Sequence, residues 1–170
     1  MDTRHTNTSL VLNPGEIMKL FRSLMTVILA AAVSVSVMAQ EHGTKDEAKA
    51  LTNAAIAHIK KVGNEQASKD FTTDKANWNK KDMYVYTADT KGVVFSHGAN
   101  EKMVGKNMME LKDQTGKPFV RELIELATTK GEGWIEYDWT NPQTKKVEGK
   151  TSYVKRVPGA DIVVIVGIYR

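Results

Sequence analysis

Residues 131–169 read GEGWIEYDWTNPQTKKVEGKTSYVKRVPGADIVVIVGIY, and this stretch decides the fold. It contains three runs rich in β-branched and aromatic residues, separated by an Asn-Pro turn signal at 141–142 and a Pro-Gly signal at 158–159. The third run, residues 162–168, is apolar at nearly every position, which is typical of a strand covered on both faces. We therefore predict three antiparallel strands, with the third in the middle of a sheet.

The first two runs, residues 134–139 and 150–157, alternate as half-buried strands do. Successive side chains of a strand point to opposite faces, so Tyr137 and Trp139 share one face and Trp134 points to the other. An aromatic row at period two is typical of a packed core, and it would also suit the wall of a ligand pocket. The sequence leaves both interpretations open.

An amphipathic helix is predicted upstream of the strands. Thr44 and Glu47 are spaced as a capping box, and apolar residues then recur at steps of three and four. These residues are Ala48, Leu51, Ala55, Ile59 and Val62. Such a stripe covers about 100° of the helix surface, enough to pack on one face of a sheet. Gly63 weakens the pattern, which resumes over residues 67–71.

Between this helix and the three strands, the sequence predicts a hairpin, a long loop and a second helix. Residues 83–88 and 93–96 form the hairpin around an Asp-Thr-Lys-Gly turn. The loop over residues 97–117 carries several apolar side chains, so we expect it to pack on the sheet. The second helix begins at Pro118 and ends at Thr129.

These elements predict an α+β fold of one domain. A five-stranded antiparallel sheet carries the long N-terminal helix on one face and the loop plus the short helix on the other. We expect a ligand cavity between the sheet and the loop, because this front cover is long and carries apolar side chains.

The N-terminal segment has the pattern of a secretory signal peptide. Positive charges at Lys19 and Arg22 precede an apolar run over residues 24–37, and Ala39 lies where a signal peptidase cleaves. The run is shorter than the roughly 20 residues that span a membrane. A retained membrane anchor is the alternative.

We accordingly divide the chain into an over-extended N-terminus over residues 1–17, a signal peptide over 18–39 and a single domain over 40–170. Cleavage between Ala39 and Gln40 releases the domain into the periplasm or outside the cell. A pilin-like structural subunit also has a basic leader and an apolar segment, but it keeps its apolar helix and needs a different cleavage pattern. N-terminal sequencing of the mature protein separates these alternatives.

The composition excludes several classes of function. Hydrophobic residues make up 41% and charged residues 26%, as in soluble globular proteins. The formal charge of +4 comes from scattered lysines, so we expect no nucleic-acid partner. The chain has no cysteine, which removes disulfides, thiolate catalysis and cysteine metal sites. It also lacks the His-Glu-x-x-His and Gly-x-Ser-x-Gly motifs, so we expect neither an enzyme nor a cofactor or metal, with a small hydrolase as the alternative.

Several short motifs, taken in order, resemble a known family. They are Phe71, Trp78, DMYVYTADTKGVVFSHG at 82–98, GKN at 105–107, LKDQTGKPF at 111–119, GWIEYDWTNP at 133–142, KTSYVKRV at 150–157 and VGIY at 166–169. Each motif is weak by itself, but their order and spacing are specific. Over residues 46–170 the chain resembles a single Cache domain of type 2. This family comprises extracytoplasmic sensor modules that are related in shape to PAS domains.

The resemblance implies a ligand-binding role. Cache modules usually form the outer half of a receptor and are followed by a second membrane helix. The present sequence reaches Arg170 without such a helix, so it resembles the free-standing secreted members. We expect a scavenger, a sensor accessory or a receptor fragment, with a membrane receptor or a transporter as its protein partner.

Related domains bind small organic acids such as acetate, propionate or pyruvate, or other small metabolites, and the resemblance implies a small organic acid or a similar metabolite here. A carboxylate needs a cation or several hydrogen-bond donors inside an apolar pocket. Lysine, histidine, tyrosine and tryptophan side chains can supply these groups. The candidate ligand-binding residues are Trp78, Tyr84, Tyr86, His97, Lys106, Tyr137, Trp139, Lys150 and Tyr153.

Three of these residues also have a purely structural interpretation. His97 could fix the loop through a backbone hydrogen bond, Lys106 could be a solvated loop residue, and Lys150 could form an ion pair at the rim. The sequence leaves these alternatives open. We interpret Asp89 and Asp113 as turn residues, because a glycine follows each of them within three positions.

Overall fold

The N-terminal helix α1 spans Lys45–Val62 in the computed structural model. The predicted capping box is present: the Thr44 hydroxyl accepts from the Glu47 amide, and the Glu47 carboxylate accepts from the Thr44 amide. The buried residues of the helix are Ala48, Thr52, Ala55, Ile56 and Ile59. The predicted stripe is confirmed at its centre, whereas Leu51 is half-buried and Val62 is exposed, because the buried face is rotated toward Thr52 and Ile56.

Two shorter helices continue this layer. Gly63, with a φ of 84°, ends α1, and the chain resumes as α2 over Asn64–Thr73 and α3 over Lys75–Trp78. The predicted resumption of the helical pattern is therefore a separate helix. The rings of Phe71 and Trp78 meet edge to face with 4.6 Å between their centroids, and this contact holds α3 against α2.

A five-stranded antiparallel sheet forms the centre of the domain. Its strands are β1 Val85–Ala88, β2 Val94–His97, β3 Glu132–Thr140, β4 Val147–Arg156 and β5 Val163–Tyr169. Their order in the sheet is β2-β1-β5-β4-β3. β5 is central and buried along its whole length, as its apolar run predicts. β4 begins earlier than predicted, because its pairing with β3 continues to the bridge between Thr140 and Val147.

The sheet separates two apolar cores. On its back face, α1 and α2 cover side chains such as Val164 and Val166. On its front face, helix α4 (Phe119–Lys130) and the loop before it cover side chains such as Val154 and Ile165. This is the predicted α+β arrangement, with a long helix behind the sheet and a loop plus a short helix in front.

The loop over residues 98–118 lies against the front face, as expected from its apolar content. It contains a 3₁₀ turn at Glu101–Met103, and it pairs with the outer edge of β2, where the Val94 amide donates to the Lys106 carbonyl at 3.0 Å. Its packed side chains are Met103, Met108, Met109 and Leu111. Val104 is different, with 41% of its surface exposed.

Both aspartates that we interpret as turn residues have that role. Asp89 accepts from two backbone amides of its own turn, at 2.9 and 2.8 Å. Asp113 accepts from the amides of Thr115 and Lys117 at 2.9 and 3.0 Å. Hydrogen bonds from the Thr115 hydroxyl and from backbone amides lower the pKa of Asp113 to about 2. The prediction is confirmed, and these bonds fix the loop ends.

The structure describes residues 41–170. The predicted over-extended N-terminus and the predicted signal peptide with its cleavage site lie outside this range. Among the helices within residues 41–170, none has both the length and the apolar character needed to cross a membrane.

Candidate ligand-binding site

A cavity lies on the front face, between the sheet, the loop and α4. The sheet forms its floor, and Met103, Met108 and Leu111 of the loop form an apolar cover, while Phe119 and Val120 of α4 close one side. The free volume of the cavity is about 20 Å³, which corresponds to one or two waters. The cavity therefore suits a ligand of few atoms.

Lys150 of β4 brings a primary amine into the floor of this cavity. The residue is 2% exposed, and its Nζ donates to the Tyr84 hydroxyl at 2.7 Å and to the Tyr169 hydroxyl at 3.2 Å. Gly167 of the central strand makes this possible, because a Cβ at that position would overlap Lys150 Cε. The missing side chain lets the lysine stem lie flat across β5.

No carboxylate within residues 41–170 is at ion-pair distance from Lys150, so the predicted alternative of an ion pair at the rim is wrong. Burial lowers the pKa of Lys150 to about 7, although the negative charge of Asp82 opposes this shift. Near neutral pH the cavity can therefore hold a buried cation whose hydrogen-bond partners are phenol hydroxyls. Such a cation is stabilised by any anion that enters the cavity.

Two tyrosine hydroxyls, those of Tyr84 and Tyr169, hold the amine, and Tyr137 lines the same cavity. The Tyr169 hydroxyl donates to the Thr140 carbonyl at 2.9 Å, and the Tyr137 hydroxyl pairs with the Ser152 hydroxyl at 2.8 Å. Burial raises the pKa of Tyr84, Tyr137 and Tyr169 above the ordinary value of a phenol. All three are therefore neutral hydrogen-bonding groups at physiological pH.

His97, at the end of β2, both fixes the loop and lines the cavity. Its Nδ1 accepts from the backbone amides of Ala99 and Asn100, at 3.3 and 3.0 Å. Its ring lies 4.9 Å from the Tyr84 ring and 5.5 Å from the Tyr86 ring, between centroids. Burial, and then the charge of Lys150, lower the pKa of His97 to about 3. The imidazole is neutral and, because Nδ1 is an acceptor, its proton is on Nε2.

The aromatic row of β3 contributes to the core and to the cavity at once. Tyr137 stacks on the Phe119 ring with 4.1 Å between centroids, and Trp139 tilts against the same ring at 5.3 Å. Both side chains also line the cavity. Trp134 packs on the back face, 5.1 Å from the Tyr153 ring. The predicted division of this strand between two faces is confirmed.

An outer pocket of about 270 Å³ adjoins the cavity. The two share four lining residues, Tyr84, His97, Met103 and Trp139. The outer pocket is bounded by Asn100 of the loop and by Pro142 and Lys145 of the turn between β3 and β4. It gives the cavity a route to solvent, past an exposed lysine.

Six of the nine predicted site residues line the cavity: Tyr84, Tyr86, His97, Tyr137, Trp139 and Lys150. The structure locates the other three elsewhere. Tyr153 is three positions from Lys150 on the same strand, so it points to the back face. Trp78 packs behind the sheet against Phe71. Lys106 is exposed, and only its backbone pairs with β2; for this residue the structural interpretation holds.

Sequence reasoning missed Tyr169, and it predicted the apolar cover of the loop without naming its residues as site residues. Tyr169 is the cross-strand partner of Lys150, and it shares the front face with Ile165 and Gly167. A signal was present in the order Ile-x-Gly-x-Tyr over residues 165–169, where a glycine leaves a gap on one strand face. The register between β4 and β5, which brings the lysine over that gap, is not visible in the sequence.

Solved structures share this fold over nearly the whole chain. A methyl-accepting chemotaxis protein from Vibrio parahaemolyticus RIMD 2210633 has 24% identity and a TM-score of 0.64, with 89% of this chain and 96% of that chain covered. A Cache chemosensory domain, solved to explain carboxylic acid recognition, has 19% identity and a TM-score of 0.59, with 93% and 99% covered. A periplasmic sensor domain of a chemotaxis protein has 17% identity and a TM-score of 0.58, with 90% and 96% covered.

The sequence itself matches the profile of one family. The match to single Cache domain 2 extends over residues 22–170 and so includes every strand of the sheet and the whole cavity. The resemblance that the short motifs suggested is confirmed. The chain belongs to the single Cache domain 2 family.

Proposed function

We propose that the domain binds a short organic acid in the front cavity and acts as an extracytoplasmic sensory or accessory module. One observation carries this proposal: the buried amine of Lys150 faces a small cavity, and within residues 41–170 its hydrogen-bond partners are two tyrosine hydroxyls and no carboxylate. A buried cation without a counter-ion is costly, and a carboxylate in hydrogen-bond contact would offset that cost. The solved Cache domain that recognises carboxylic acids has the same fold.

The walls of the cavity set the size of the acid. The free space fits only a few atoms, and the cover consists of side chains that adjust easily, among them Met103 and Met108. An acid of two to four carbons would place its carboxylate at Lys150 and its alkyl end beneath these methionines. Because even these acids exceed the free space, the methionines would have to shift on binding, and larger acids would have to displace them further.

We propose binding without turnover. The neutral His97 has its acceptor nitrogen occupied by two backbone amides, and its low pKa makes it a weak base. The Ser152 hydroxyl is paired with Tyr137 and not with a base. This arrangement does not provide the paired nucleophile and base that a small hydrolase would need.

Calorimetry and thermal unfolding with acetate and propionate, with ethylamine as the cationic comparison, test the proposal. The acids should raise the melting temperature, since a ligand at 100 times its Kd adds about 2.7 kcal/mol of stability. Lys150→Met, which keeps the stem and removes the amine, should abolish this shift. Lys106→Met is the matched control, because it removes an exposed lysine outside the cavity and should bind normally. Unchanged acid binding by Lys150→Met, or a response to ethylamine alone, would contradict the proposal.

We further propose that the domain is released by signal-peptide cleavage after Ala39 and works with a membrane receptor or a transporter. The basic and apolar pattern over residues 18–39 supports release, as does the extracytoplasmic setting of the periplasmic sensor domain that shares the fold. Intact-mass measurement of the protein from a periplasmic extract should give a chain that begins at Gln40. A chain that keeps the apolar segment would favour the membrane-anchored alternative.

A further inference from the structure

Lys150 has a buried amine whose chemistry differs from that of a solvated lysine. Its Nζ donates to the Tyr84 and Tyr169 hydroxyls, and no carboxylate of residues 41–170 lies at ion-pair distance from it. Burial disfavours the ammonium form and lowers the pKa of this lysine to about 7. An uncharged amine in a cavity with apolar walls has a free lone pair, which makes it a nucleophile.

Two hydroxyls of the same cavity lack a good acceptor for their protons. The Tyr84 hydroxyl accepts from Lys150, and its other partner within the described part of the chain is the Tyr169 hydroxyl, at the long distance of 3.5 Å. The Tyr86 hydroxyl is buried and has no partner among residues 41–170. Native structures rarely bury such groups unless water or a bound group satisfies them. The cavity wall therefore presents hydroxyl protons that need acceptor oxygens.

The free volume of the cavity, about 20 Å³, suits two oxygen atoms better than it suits a carbon chain. Carbon dioxide meets this limit, because only its two oxygens remain to be accommodated once its carbon is bonded to Nζ. We propose that Lys150 is a site of reversible carbamate formation with carbon dioxide, and that the Tyr84 and Tyr86 hydroxyls donate to the carbamate oxygens. The proposal concerns the cavity without a bound acid, so it goes beyond the proposed function and does not depend on it.

The reaction is an addition that needs no further reactant. The Nζ lone pair attacks the carbon of carbon dioxide and forms a C–N bond. One C=O π bond breaks, its electron pair moves to oxygen, and one N–H proton leaves to solvent through the outer pocket. The product is a carbamate with one negative charge, and its two oxygens are acceptors for the two hydroxyl protons. Removal of carbon dioxide reverses the addition.

The other titratable groups around Lys150 keep their charge between pH 6 and 8. Burial raises the pKa values of the four tyrosines of this region, which are Tyr84, Tyr86, Tyr137 and Tyr169. Burial also lowers the pKa of His97 to about 3. The charged neighbour is Asp82, which accepts from the Tyr169 amide and favours the ammonium form of Lys150. Carbamate formation should therefore follow the deprotonation of Lys150.

Chemical trapping tests the proposal. Triethyloxonium converts a carbamate into a stable ethyl ester, which peptide mass spectrometry assigns to a residue. In bicarbonate buffer, at a dissolved carbon dioxide concentration that leaves labelling incomplete, the label at Lys150 should increase at least about tenfold from pH 6 to pH 8, as the neutral amine does. Solvated lysines are almost wholly protonated at pH 8. The exposed Lys106 should therefore carry at least about tenfold less label than Lys150.

Three variants make the experiment specific. Lys150→Met should lose the label at this position, whereas Lys106→Met, the matched control, should label Lys150 as the wild type does. Tyr86→Phe removes one of the two hydroxyl donors, and the label at Lys150 should fall about tenfold at pH 8. The melting temperature of Tyr86→Phe should not fall, because the deleted hydroxyl has no partner within residues 41–170. A loss of label in this variant would then not be a loss of fold.

The proposal is overturned if Lys150 carries no label, or if its label is no stronger than that of Lys106 and does not change with pH. Full labelling of Tyr86→Phe would contradict the assignment of its hydroxyl to the carbamate. These outcomes are separate from those of the proposed function. An unlabelled protein that binds propionate refutes the carbamate alone, and a labelled protein that does not bind propionate refutes the acid ligand alone.

Discussion

The carboxylate of Asp82 accepts a hydrogen bond from the backbone amide of Tyr169, with 3.1 Å between the two atoms. The same buried carboxylate accepts from the Gly43 amide at 2.7 Å and contacts His42 Nδ1 at 2.8 Å. One side chain thus connects the segment before α1 with the end of the central strand. Since the Tyr169 hydroxyl accepts from Lys150, the cavity and this junction share a residue.

Asp82→Asn should weaken both the junction and the cavity. An amide has one acceptor oxygen, so it cannot serve the Gly43 and Tyr169 amides and His42 as the carboxylate does, and a buried donor is left unpaired at a cost of about 1–3 kcal/mol. The charge that opposes the fall of the Lys150 pKa is also lost, so acid binding at pH 7 should weaken. Urea unfolding and calorimetry measure the two effects.

The control for Asp82→Asn is His42→Ala, which removes the partly exposed partner of the carboxylate and leaves both amide bonds in place. It should cost no more than about 1 kcal/mol. Equal losses in the two variants would mean that the ion pair, and not the pair of buried amide bonds, stabilises the junction.

The stability of the free protein should depend on pH through Lys150. Its folded-state pKa of about 7 is below the ordinary lysine value of 10.5, so between these values the unfolded chain binds more protons than the folded one. Stability should therefore increase with pH above 7, with a slope of up to about 1.4 kcal/mol per pH unit. Below pH 7 both states are protonated, and the cost of the buried charge is constant.

Urea unfolding at pH 6, 7, 8 and 9, expressed as the difference between wild type and Lys150→Met, isolates this effect, because other groups titrate alike in both proteins. His97, with its pKa lowered to about 3, and the cavity tyrosines, with theirs raised, do not change charge in this range. A difference that is flat from pH 6 to 9 would mean that Lys150 keeps its ordinary pKa.

Acid affinity should depend on pH with the opposite sign. A carboxylate binds the ammonium form of Lys150, and that form becomes scarce above pH 7. We expect the Kd of propionate to rise toward a tenfold increase per pH unit above pH 7, and to change by no more than about twofold between pH 6 and 7. Calorimetry at these pH values in two buffers should also detect uptake of a proton on binding. Constant affinity from pH 6 to 9 would contradict a role for the ammonium group.

The fold can be predicted from the sequence because its strands differ in the pattern of apolar and polar residues. Residues 163–169 are apolar on both faces, and residues 134–139 alternate, so the central strand and the faces of Trp134 and Tyr137 followed from period two alone. The same rule excludes Tyr153 from the site, since it is an odd number of positions from Lys150 and contacts Trp134 on the back face. Tyr153 has the side chain of a ligand contact, but its position along the strand puts it on the face opposite to Lys150.

Other parts of the site depend on contacts that no local pattern encodes. The pairing of Lys150 with Tyr169 depends on the register of β4 and β5, which the turn over residues 157–162 and the packing of both faces set together. The unpaired hydroxyl of Tyr86 depends on where the loop lies. Lys106 is the cation of the Gly-Lys-Asn motif, but its side chain is exposed on the loop and does not line the cavity.

Gly167→Ala, a substitution in the central strand, should weaken acid binding in the cavity. The added methyl group would overlap Lys150 Cε and Ser152 Oγ, both of which lie against the glycine on the front face. Since β5 is buried on both sides, the strand cannot move away, and the overlap should cost about 1–3 kcal/mol. The lysine stem should be displaced, so acid binding should weaken more than stability alone explains.

Gly149→Ala, on the neighbouring strand, is the matched control for this substitution. Its added methyl group meets only the side chain of Arg170, which is exposed and able to move, so stability and acid binding should change little. Melting temperatures and propionate affinities of the two variants, measured side by side, separate the specific overlap at Gly167 from a general effect of alanine in a strand. Normal propionate binding by Gly167→Ala would show that Lys150 does not need to lie across β5 to hold the acid.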